Sequence, residues 1–264
     1  MEHARKVHLL QTLVETLCSE RELSAPKTNG EDELWKEFRA LVNTRPPWPA
    51  PESFLSDQDE LLQGLIEEAG IHTADDATAS SADPRLLLWR GDITTLAVDA
   101  IVNAANSQLL GCWVPGHYCI DNAIHTFAGV QLRIECARIM QEQGHEEPTG
   151  TAKITSAFNL PAKHVIHTVG PIANGHPSDA HREQLASCYR SCLDLAAEND
   201  LHSLAFCCIS TGVFGFPQLE AAEIAQLTVR EWLAAHDADI MVVFNVFGSK
   251  DEQIYRNILR LEEE

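Results

Sequence analysis

Two cysteines and a histidine in one short stretch have the residue types and the spacing to bind a metal ion. The stretch is residues 111–125, GCWVPGHYCIDNAIH, and it contains Cys112, His117 and Cys119. Zinc prefers thiolate and imidazole ligands, and three protein ligands leave a tetrahedral ion one open position, as in catalytic zinc sites. The spacing therefore predicts a catalytic zinc site. Two buried cysteines beside a loop histidine are the alternative, because the pattern is shorter than a zinc-finger motif.

A carboxylate follows these candidate ligands closely. Asp121 and Asn122 come directly before an apolar run that is typical of a helix start. A carboxylate at a helix N-terminus beside a metal ion is a candidate general base. We therefore predict that Asp121 is a catalytic residue.

The composition argues against several classes of protein. The chain of 264 residues has no apolar run long enough for a transmembrane helix, and its acidic, amphipathic N-terminus is unlike a secretory signal. We therefore expect a cytoplasmic protein with no membrane partner. Nineteen basic and thirty-nine acidic residues give a net charge of −20. This charge argues against a nucleic-acid partner, because binding a polyanion requires a basic face.

Most of the cysteines are expected to be structural. Eight cysteines in a chain of this kind indicate thiols or metal ligands rather than a disulfide framework. Six of them fall in helix or strand patterns and are predicted to lie in the core: Cys18, Cys136, Cys188, Cys192, Cys207 and Cys208. His167 lies within an apolar strand pattern, and we likewise expect it to be a core residue.

The first part of the chain has helical periodicity. Apolar residues recur at helical spacing in residues 7–22, 31–42 and 56–69, with Ser56 as the expected N-cap of the third helix. Residues 72–84, HTADDATASSADP, are small and polar, and we expect them to form a flexible linker. The sequence therefore predicts a helical extension with its linker in residues 1–83 and a second domain in residues 84–264.

The second part alternates between strand and helix patterns. The strand patterns are LLLWRGDI, VDAIVNAAN, TAKITSAF, HVIHTVG, SLAFCCIS and IMVVFNVF, and the first long helix is expected from Ile120 to Gln143. This order predicts an α/β fold with a mostly parallel central sheet. Ligands of such sheets bind beyond the carboxyl ends of the strands. Three loops that follow strands are therefore of interest: residues 91–92, 103–116 and 210–216.

The last of these loops has the composition of an anion-binding loop. Residues 210–217 read STGVFGFP between a strand and a helix. Glycines allow backbone N–H groups to approach phosphate oxygens, and hydroxyl groups add further donors. The loop contains neither a P-loop nor a GxGxxG motif, so an ordinary strand–helix turn is the alternative.

Taken together, these motifs resemble the macrodomain family. The matching segments, in family order, are RGDIT, VDAIVNAANSQLLG, IDNAIHTFAG, TGTAKITSAFNLPAKHVIHTVGP and ISTGVFGFP, and they cover roughly Arg85–Glu263. The resemblance implies a three-layer α/β/α fold with a mixed, mostly parallel sheet. Most macrodomains have a glycine-rich run after NAAN. Here GCWVPGHYC replaces it, which is similar to the zinc-dependent microbial branch that removes mono-ADP-ribose from proteins, as is the helical extension.

The resemblance implies roles for residues near the adenine and the distal ribose. Asp92 would accept a hydrogen bond from the adenine amino group, and Ile93 would add a backbone contact. Asn103 and Asn106 would line the distal ribose site, with Asn106 nearer to the reaction and grouped with the catalytic residues.

The resemblance also implies roles around the diphosphate and the metal. Asp121 matches the acid of hydrolytic relatives. The metal-ligand candidates would hold Zn²⁺ beside the scissile ribose, and Phe214 would also form a wall of the distal ribose site. The diphosphate would lie on one run of residues: Ser210, Thr211, Gly212, Val213 and Phe214.

Two functions remain open from the sequence. The first is a zinc-dependent hydrolase that removes mono-ADP-ribose from protein side chains, with an Asp or Glu ester as the expected linkage. The second is a non-catalytic reader of ADP-ribose with structural zinc. The count of three ligands and the presence of Asp121 favour the enzyme. The expected partners are ADP-ribose and a mono-ADP-ribosylated protein, and the resemblance suggests a lipoate-carrier protein modified by a sirtuin-type transferase.

Overall fold

The computed structural model of the protein describes residues 1–28, 30–236 and 238–261. The α-helices in these residues are α1 (His3–Ser19), α2 (Glu31–Asn43), α3 (Glu52–Ala69), α4 (Ile120–Ala128), α5 (Val130–Gln143), α6 (Asp179–Glu198), α7 (Gln218–His236) and α8 (Ser249–Leu259). The strands are β1 (Thr78–Ala79), β2 (Leu86–Arg90), β3 (Ala100–Ala105), β4 (Ala152–Ser156), β5 (His164–Val169), β6 (Ser203–Phe206) and β7 (Met241–Val246). Three helices therefore precede a part of the chain in which strands and helices alternate.

All these strands join one mixed sheet, in the order β1-β2-β7-β6-β3-β5-β4. The five inner strands run parallel to one another. The two edge strands, β1 and β4, are antiparallel to theirs. The inner strands are almost continuously buried, as is usual when helices cover both faces of a parallel sheet. The prediction of a mixed, mostly parallel sheet is confirmed.

Different helices cover the two faces of the sheet. His167 of β5 faces α5, where its Nε2 lies 3.8 Å from the Cys136 sulfur. By strand register, Phe244 of β7 lies on the opposite face, and its ring stacks on Tyr255 of α8 with the ring centroids 5.1 Å apart. The helices α6, α7 and α8 pack against one another, whereas α2 and α3 pack against α4. The three-layer arrangement is therefore also confirmed.

The N-terminal helices pack directly against the sheet domain. The apolar cluster between α1, α2 and α3 also contains Val130, the first residue of α5. Gln58 of α3 is completely buried, and its side-chain oxygen accepts a hydrogen bond from the Val130 N–H at 3.0 Å. The first N–H groups of a helix have no partner within that helix, so this contact satisfies one of them. None of the helices in the described parts of the chain has the length and apolar character needed to span a bilayer.

Two helix boundaries differ from the sequence-based predictions. The third helix begins at Glu52 rather than after Ser56, because Pro51 supplies the extended residue before the first turn and needs no donor there. The helix expected from Ile120 to Gln143 is broken at Gly129, which has φ +95°. A Cβ atom at Gly129 would lie 2.5 Å from the Gln58 side-chain nitrogen, so the approach of α3 also favours glycine at this position.

The segment expected to be a flexible linker is part of the fold. Residues 74–76 form a 3₁₀ turn that Thr73 caps, and β1 pairs with β2. The hydroxyl of Ser80 donates a hydrogen bond to the Leu259 carbonyl at 2.8 Å. Small polar residues do not prevent a chain from adding a short edge strand. The division between residues 83 and 84, which falls between two paired strands, stays a prediction.

Candidate active site

A cleft of about 610 Å³ lies at the carboxyl ends of the inner strands. Because β3, β6 and β7 are parallel neighbours, the residues that follow them meet at one edge of the sheet. Two loops form much of the lining, the Cys–His loop (residues 111–119) and the β6–α7 loop (residues 210–216). Asn106 and Asp121 also line it. The volume is within the usual range for sites that bind small molecules.

The three candidate metal ligands lie together in the Cys–His loop. The ligand atoms of Cys112, His117 and Cys119 all lie within 4.8 Å of one another. The Cys112 sulfur lies 3.6 Å from Nδ1 of His117. Two bonds of about 2.3 and 2.1 Å at a tetrahedral angle would place a sulfur and a nitrogen ligand of zinc about 3.6 Å apart. The residues therefore fit a zinc ion with three protein ligands.

The surroundings of Cys119 favour the protonated thiol when no metal ion is bound. Burial is the main cause that raises the pKa of Cys119 to about 12, and the neighbouring Cys112 raises it further. This half-buried thiol would exchange its proton for a metal ion on binding, which couples metal affinity to pH. The other six cysteines are free, and all except the half-buried Cys208 are buried, in agreement with their expected core positions.

Asp121 lies in the first turn of α4, at the floor of the cleft, and is only 5% exposed. Its Oδ1 accepts a hydrogen bond from the Asn103 side chain at 2.8 Å. Its Oδ2 lies 3.4 Å from the Asn106 side-chain nitrogen, which also donates to the Gly111 carbonyl. Burial raises the pKa of Asp121 to about 6, although the hydrogen bond from Asn103 opposes this effect. The carboxylate is thus held in place and has a pKa suited to a base near neutral pH.

Two buried histidines lie beneath this carboxylate. Nε2 of His125 is 3.6 Å from the Asp121 Oδ1, and neither ring nitrogen of His125 has a hydrogen-bond partner in the structure. Asn103 donates to Nδ1 of His167 at 3.2 Å, and Thr155 lies 3.0 Å from its Nε2. Burial lowers the pKa of His167 to about 4, so the imidazole is neutral near pH 7. The expectation that His167 is a satisfied core residue is confirmed.

The β6–α7 loop lines the cleft together with the Cys–His loop. Its residues 210–214 all contribute to the lining. Backbone hydrogen bonds within the loop hold its shape, from Gly215 N–H to the Gly212 carbonyl and from Phe216 N–H to the Ser210 carbonyl. The hydroxyl oxygen of Ser210 is buried and has no partner in the structure. An unpartnered buried hydroxyl beside a cleft is available to a ligand that offers hydrogen-bonding groups.

Three residues of the predicted site are not among the residues that line this cleft. Asn103 is completely buried beneath Asp121 and does not line the cleft, because its position on β3 directs it to the face covered by α4 and α5. Asp92 is exposed and accepts hydrogen bonds from the N–H and the hydroxyl of Thr94. Among the described residues, Asp92 and Ile93 are not part of the cleft lining, and Asp92 lines a separate depression beside the N-terminal helices.

The structure also places residues at the cleft that the sequence analysis did not select. Phe247 is 79% exposed, lines the cleft and directly follows β7. Its position directly after a buried strand was the signal that could have identified it. Arg39 and Asn43 of α2 contact the Cys–His loop across more than seventy residues of chain. No local pattern in the sequence indicates those two contacts.

Comparisons with known proteins agree with this geometry. The model of the Macro domain family matches residues 102–225. A protein from Treponema medium, named protein-ADP-ribose hydrolase, is 53% identical over 97% of this chain and 98% of its own length. The solved macrodomain of Oceanobacillus iheyensis with ADP is 41% identical, with a TM-score of 0.60 over 72% of this chain and 93% of that one.

A second solved structure is similar over more of the chain. The Trypanosoma brucei macrodomain in complex with ADP-ribose is 31% identical, with a TM-score of 0.64 over 84% of this chain and 94% of that one. The T. medium relative is similar almost from end to end. The family model covers most of β3, all of β4, β5 and β6, and most of the residues that line the cleft. The chain therefore belongs to the macrodomain family.

Proposed function

We propose that this protein is a zinc-dependent hydrolase that removes mono-ADP-ribose from modified protein side chains. One observation carries the proposal: three clustered metal-ligand side chains and a buried, hydrogen-bonded carboxylate line the same cleft as a glycine-containing loop. The name of the T. medium relative, protein-ADP-ribose hydrolase, supports the same activity. A cleft that only bound ADP-ribose would not require both a three-ligand site and a carboxylate with a raised pKa.

The β6–α7 loop binds the diphosphate of ADP-ribose in this proposal. Ser210 offers an unpartnered hydroxyl, and a Cβ atom at Gly212 would have no other atom within 4 Å, so a ligand can approach the backbone N–H groups of this loop. Such N–H groups bind phosphate oxygens without a basic side chain, which suits a protein with a net charge of −20. Phe247 offers an exposed ring on which the adenine stacks, and Asp92 remains the proposed acceptor for the adenine amino group.

The reactive end of the cleft lies beside Asp121. Asn103 and Asn106 orient the two carboxylate oxygens, so that Asp121 positions a water molecule and accepts its proton. The bond from the distal ribose to an Asp or Glu side chain breaks, and the products are a free carboxylate and ADP-ribose. Cys112, His117 and Cys119 would hold the zinc ion, which when bound would supply Lewis-acid polarisation of an oxygen or a lowered pKa for a water molecule.

The modified protein is the remaining part of the substrate. Its side chain enters the cleft beside the Cys–His loop, where Trp113, Val114 and Tyr118 are exposed. We keep a lipoate-carrier protein, modified by a sirtuin-type transferase, as the proposed target on the basis of the family resemblance alone.

The proposed activity is tested with two mono-ADP-ribosylated proteins of known linkage. One carries ADP-ribose on glutamate through an ester, and the other carries it on arginine through nitrogen. Chromatography of the free ADP-ribose released over time measures turnover of each substrate. We expect multiple turnovers on the ester.

Each other result changes the proposal in a defined way. Tight binding of ADP-ribose without release from either protein would make the chain a reader with structural zinc. Release from the arginine-linked protein alone would contradict the proposed ester linkage while leaving the hydrolase activity in place.

A further inference from the structure

The Cys–His loop has little regular structure of its own. A backbone hydrogen bond from His117 N–H to the Val114 carbonyl, 3.2 Å long, closes one turn inside it. The loop lies between β3 and α4 and belongs to neither. A metal site binds tightly only when its ligands are held in place before binding, and neighbouring hydrogen bonds usually provide this restraint. Contacts from outside the loop therefore determine the position of its ligands.

Asn43, the last residue of α2, contacts the loop beside its histidine. It is 1% exposed, and its side-chain oxygen accepts a hydrogen bond from the Gly116 N–H at 2.9 Å. Its side-chain nitrogen donates to the Thr126 hydroxyl on α4 at 3.0 Å. Both ends of the amide are therefore used, and this fixes its orientation. The Gly116 N–H adjoins His117, so the amide restrains the backbone that carries a metal-ligand candidate.

Arg39 lies one helical turn before Asn43 and contacts the same part of the loop. Its guanidinium donates to the side-chain oxygen of Asn122 at 2.8 Å and to the His117 carbonyl at 3.5 Å. The Asn122 side-chain nitrogen donates in turn to the Val114 carbonyl at 3.2 Å. The guanidinium carbon also lies 5.6 Å from the centre of the Tyr118 ring. Arg39 thus reaches the loop directly and through a residue of α4.

A third side chain links the loop to the same end of α2. The buried guanidinium of Arg133, on α5, donates to the carbonyls of Val42 and Leu110 at 3.0 and 2.6 Å. Its central carbon lies 4.3 Å above the Trp113 ring. Removal of the N-terminal helices would take away some of the hydrogen-bond acceptors of this buried charge. The loss would destabilise the folded protein.

We infer that the N-terminal extension positions a ligand of the metal site. Arg39 and Asn43 are the positioning residues, and they restrain the backbone at His117. This inference rests on the proposed zinc site. It gives the three N-terminal helices a role in the reaction that their own sequence does not indicate, because they contribute no ligand and no lining residue to the cleft. Among the described residues, the amide and guanidinium contacts from α2 bear on the backbone at residues 116 and 117.

The inference is tested by measuring zinc affinity in the full-length protein. The variants are Arg39→Ala, Asn43→Ala and a control, Arg5→Ala, whose guanidinium in α1 bonds to Glu60 instead of the loop. Competition with a chromophoric chelator gives the zinc dissociation constant, calorimetry gives the ADP-ribose affinity, and thermal melting reports stability. Arg39 is half-buried, so its variant folds even if loss of the buried Asn43 amide does not permit folding.

We expect Arg39→Ala to weaken zinc binding by about 10–100-fold, the usual effect of losing a group that orients a metal ligand. ADP-ribose affinity and the Arg5→Ala protein should be unchanged, and Arg39→Lys should recover part of the zinc affinity because it restores one charged donor. A purely structural role for Arg39 would lower the melting temperature and leave zinc affinity as in the wild type, which would overturn the inference. Absence of zinc binding in the wild-type protein would instead overturn the proposed function, and the inference with it.

Discussion

The Cys–His loop and the β6–α7 loop, which both line the cleft, are held in place in different ways. The β6–α7 loop is stabilised by backbone hydrogen bonds, within itself and to residues 173–175 of the same domain. The Cys–His loop is held by side chains, and two of them, Arg39 and Asn43, come from the N-terminal helices. The β6–α7 loop, at the proposed binding end of the cleft, is therefore held by contacts within the sheet domain. The Cys–His loop, at the proposed reactive end, is held in part by residues about seventy positions away in sequence.

Bond cleavage and ligand affinity should therefore respond to different substitutions, although both depend on the same cleft. Substitutions in the Cys–His loop and at Asp121 should affect bond cleavage and spare ligand affinity. Substitutions in the β6–α7 loop and at the adenine end should affect affinity and spare the metal.

The largest effect is expected from removing a metal-ligand candidate. Cys119→Ala leaves two donors at the site, so the protein should lose its zinc and its hydrolysis of ADP-ribosylated protein. ADP-ribose affinity should change by less than about twofold, because the diphosphate and adenine contacts are distant. Cys18→Ala, which removes a buried thiol far from the cleft, is the matched control and should keep both zinc and activity. An active, zinc-free Cys119→Ala protein would show that these residues are structural.

Loss of the carboxylate is expected to have the next largest effect. Asp121→Ala should lower kcat by about 10²–10⁴-fold, the usual contribution of a positioned acid or base, with ADP-ribose affinity nearly intact. Asp121→Asn keeps the size of the side chain and should be similarly slow. Single-turnover release of ADP-ribose, measured beside thermal melting, separates catalysis from stability. A wild-type rate with a stability loss of about 1 kcal/mol would assign Asp121 to the helix terminus alone.

Substitutions at the proposed adenine end should weaken ADP-ribose binding and leave the metal site unchanged. Phe247→Ala should weaken ADP-ribose binding by about 1–3 kcal/mol, the range for one base stacked on an aromatic ring. Asp92→Ala should cost about 1–3 kcal/mol if its carboxylate accepts a hydrogen bond from the adenine. Calorimetry with ADP-ribose measures both, and zinc content should remain that of the wild type. Unchanged affinity in Asp92→Ala, together with a loss in Phe247→Ala, would place the adenine on Phe247 without Asp92.

The smallest effect is expected from a backbone change in the β6–α7 loop. Gly215 has φ +66°, and a Cβ atom there would lie 3.2 Å from the Asn174 Cα. Gly215→Ala should therefore cost about 1–2 kcal/mol in backbone strain and shift the loop, which lowers ADP-ribose affinity. Gly144→Ala is the matched control, because that glycine has φ +76° and open space around it, at the end of α5. It should lose stability and keep affinity; equal affinity in both variants would contradict a binding role for the loop.

Sequence reasoning identified those features that depend on local pattern. Strand–helix alternation gave the sheet, and the spacing of Cys112, His117 and Cys119 gave a cluster that the fold does bring together. Position after a strand selected the loops of residues 103–116 and 210–216, and both contribute residues to the cleft. These patterns lie within short stretches of the sequence, so they can be recognised without the structure.

Features that depend on long-range contacts could not be predicted. The contact from Asn43 to Gly116 exists only because α2 packs beside α4, and the sequence around Asn43 is that of an ordinary helix end. The break at Gly129 follows from the approach of Gln58 on α3. The Asn103 side chain was assigned to the ligand, whereas it bonds to Asp121 from beneath. In each case the deciding partner is distant in the chain.

The most direct test of the proposed division between a reactive end and a binding end uses the wild-type protein with its zinc removed and then restored. Single-turnover release of ADP-ribose from an ester-linked modified protein and calorimetric ADP-ribose affinity are measured on the same samples. We predict that release disappears on chelation and returns with one equivalent of zinc, while affinity changes by less than about twofold. Release that persists without the metal would contradict the proposal.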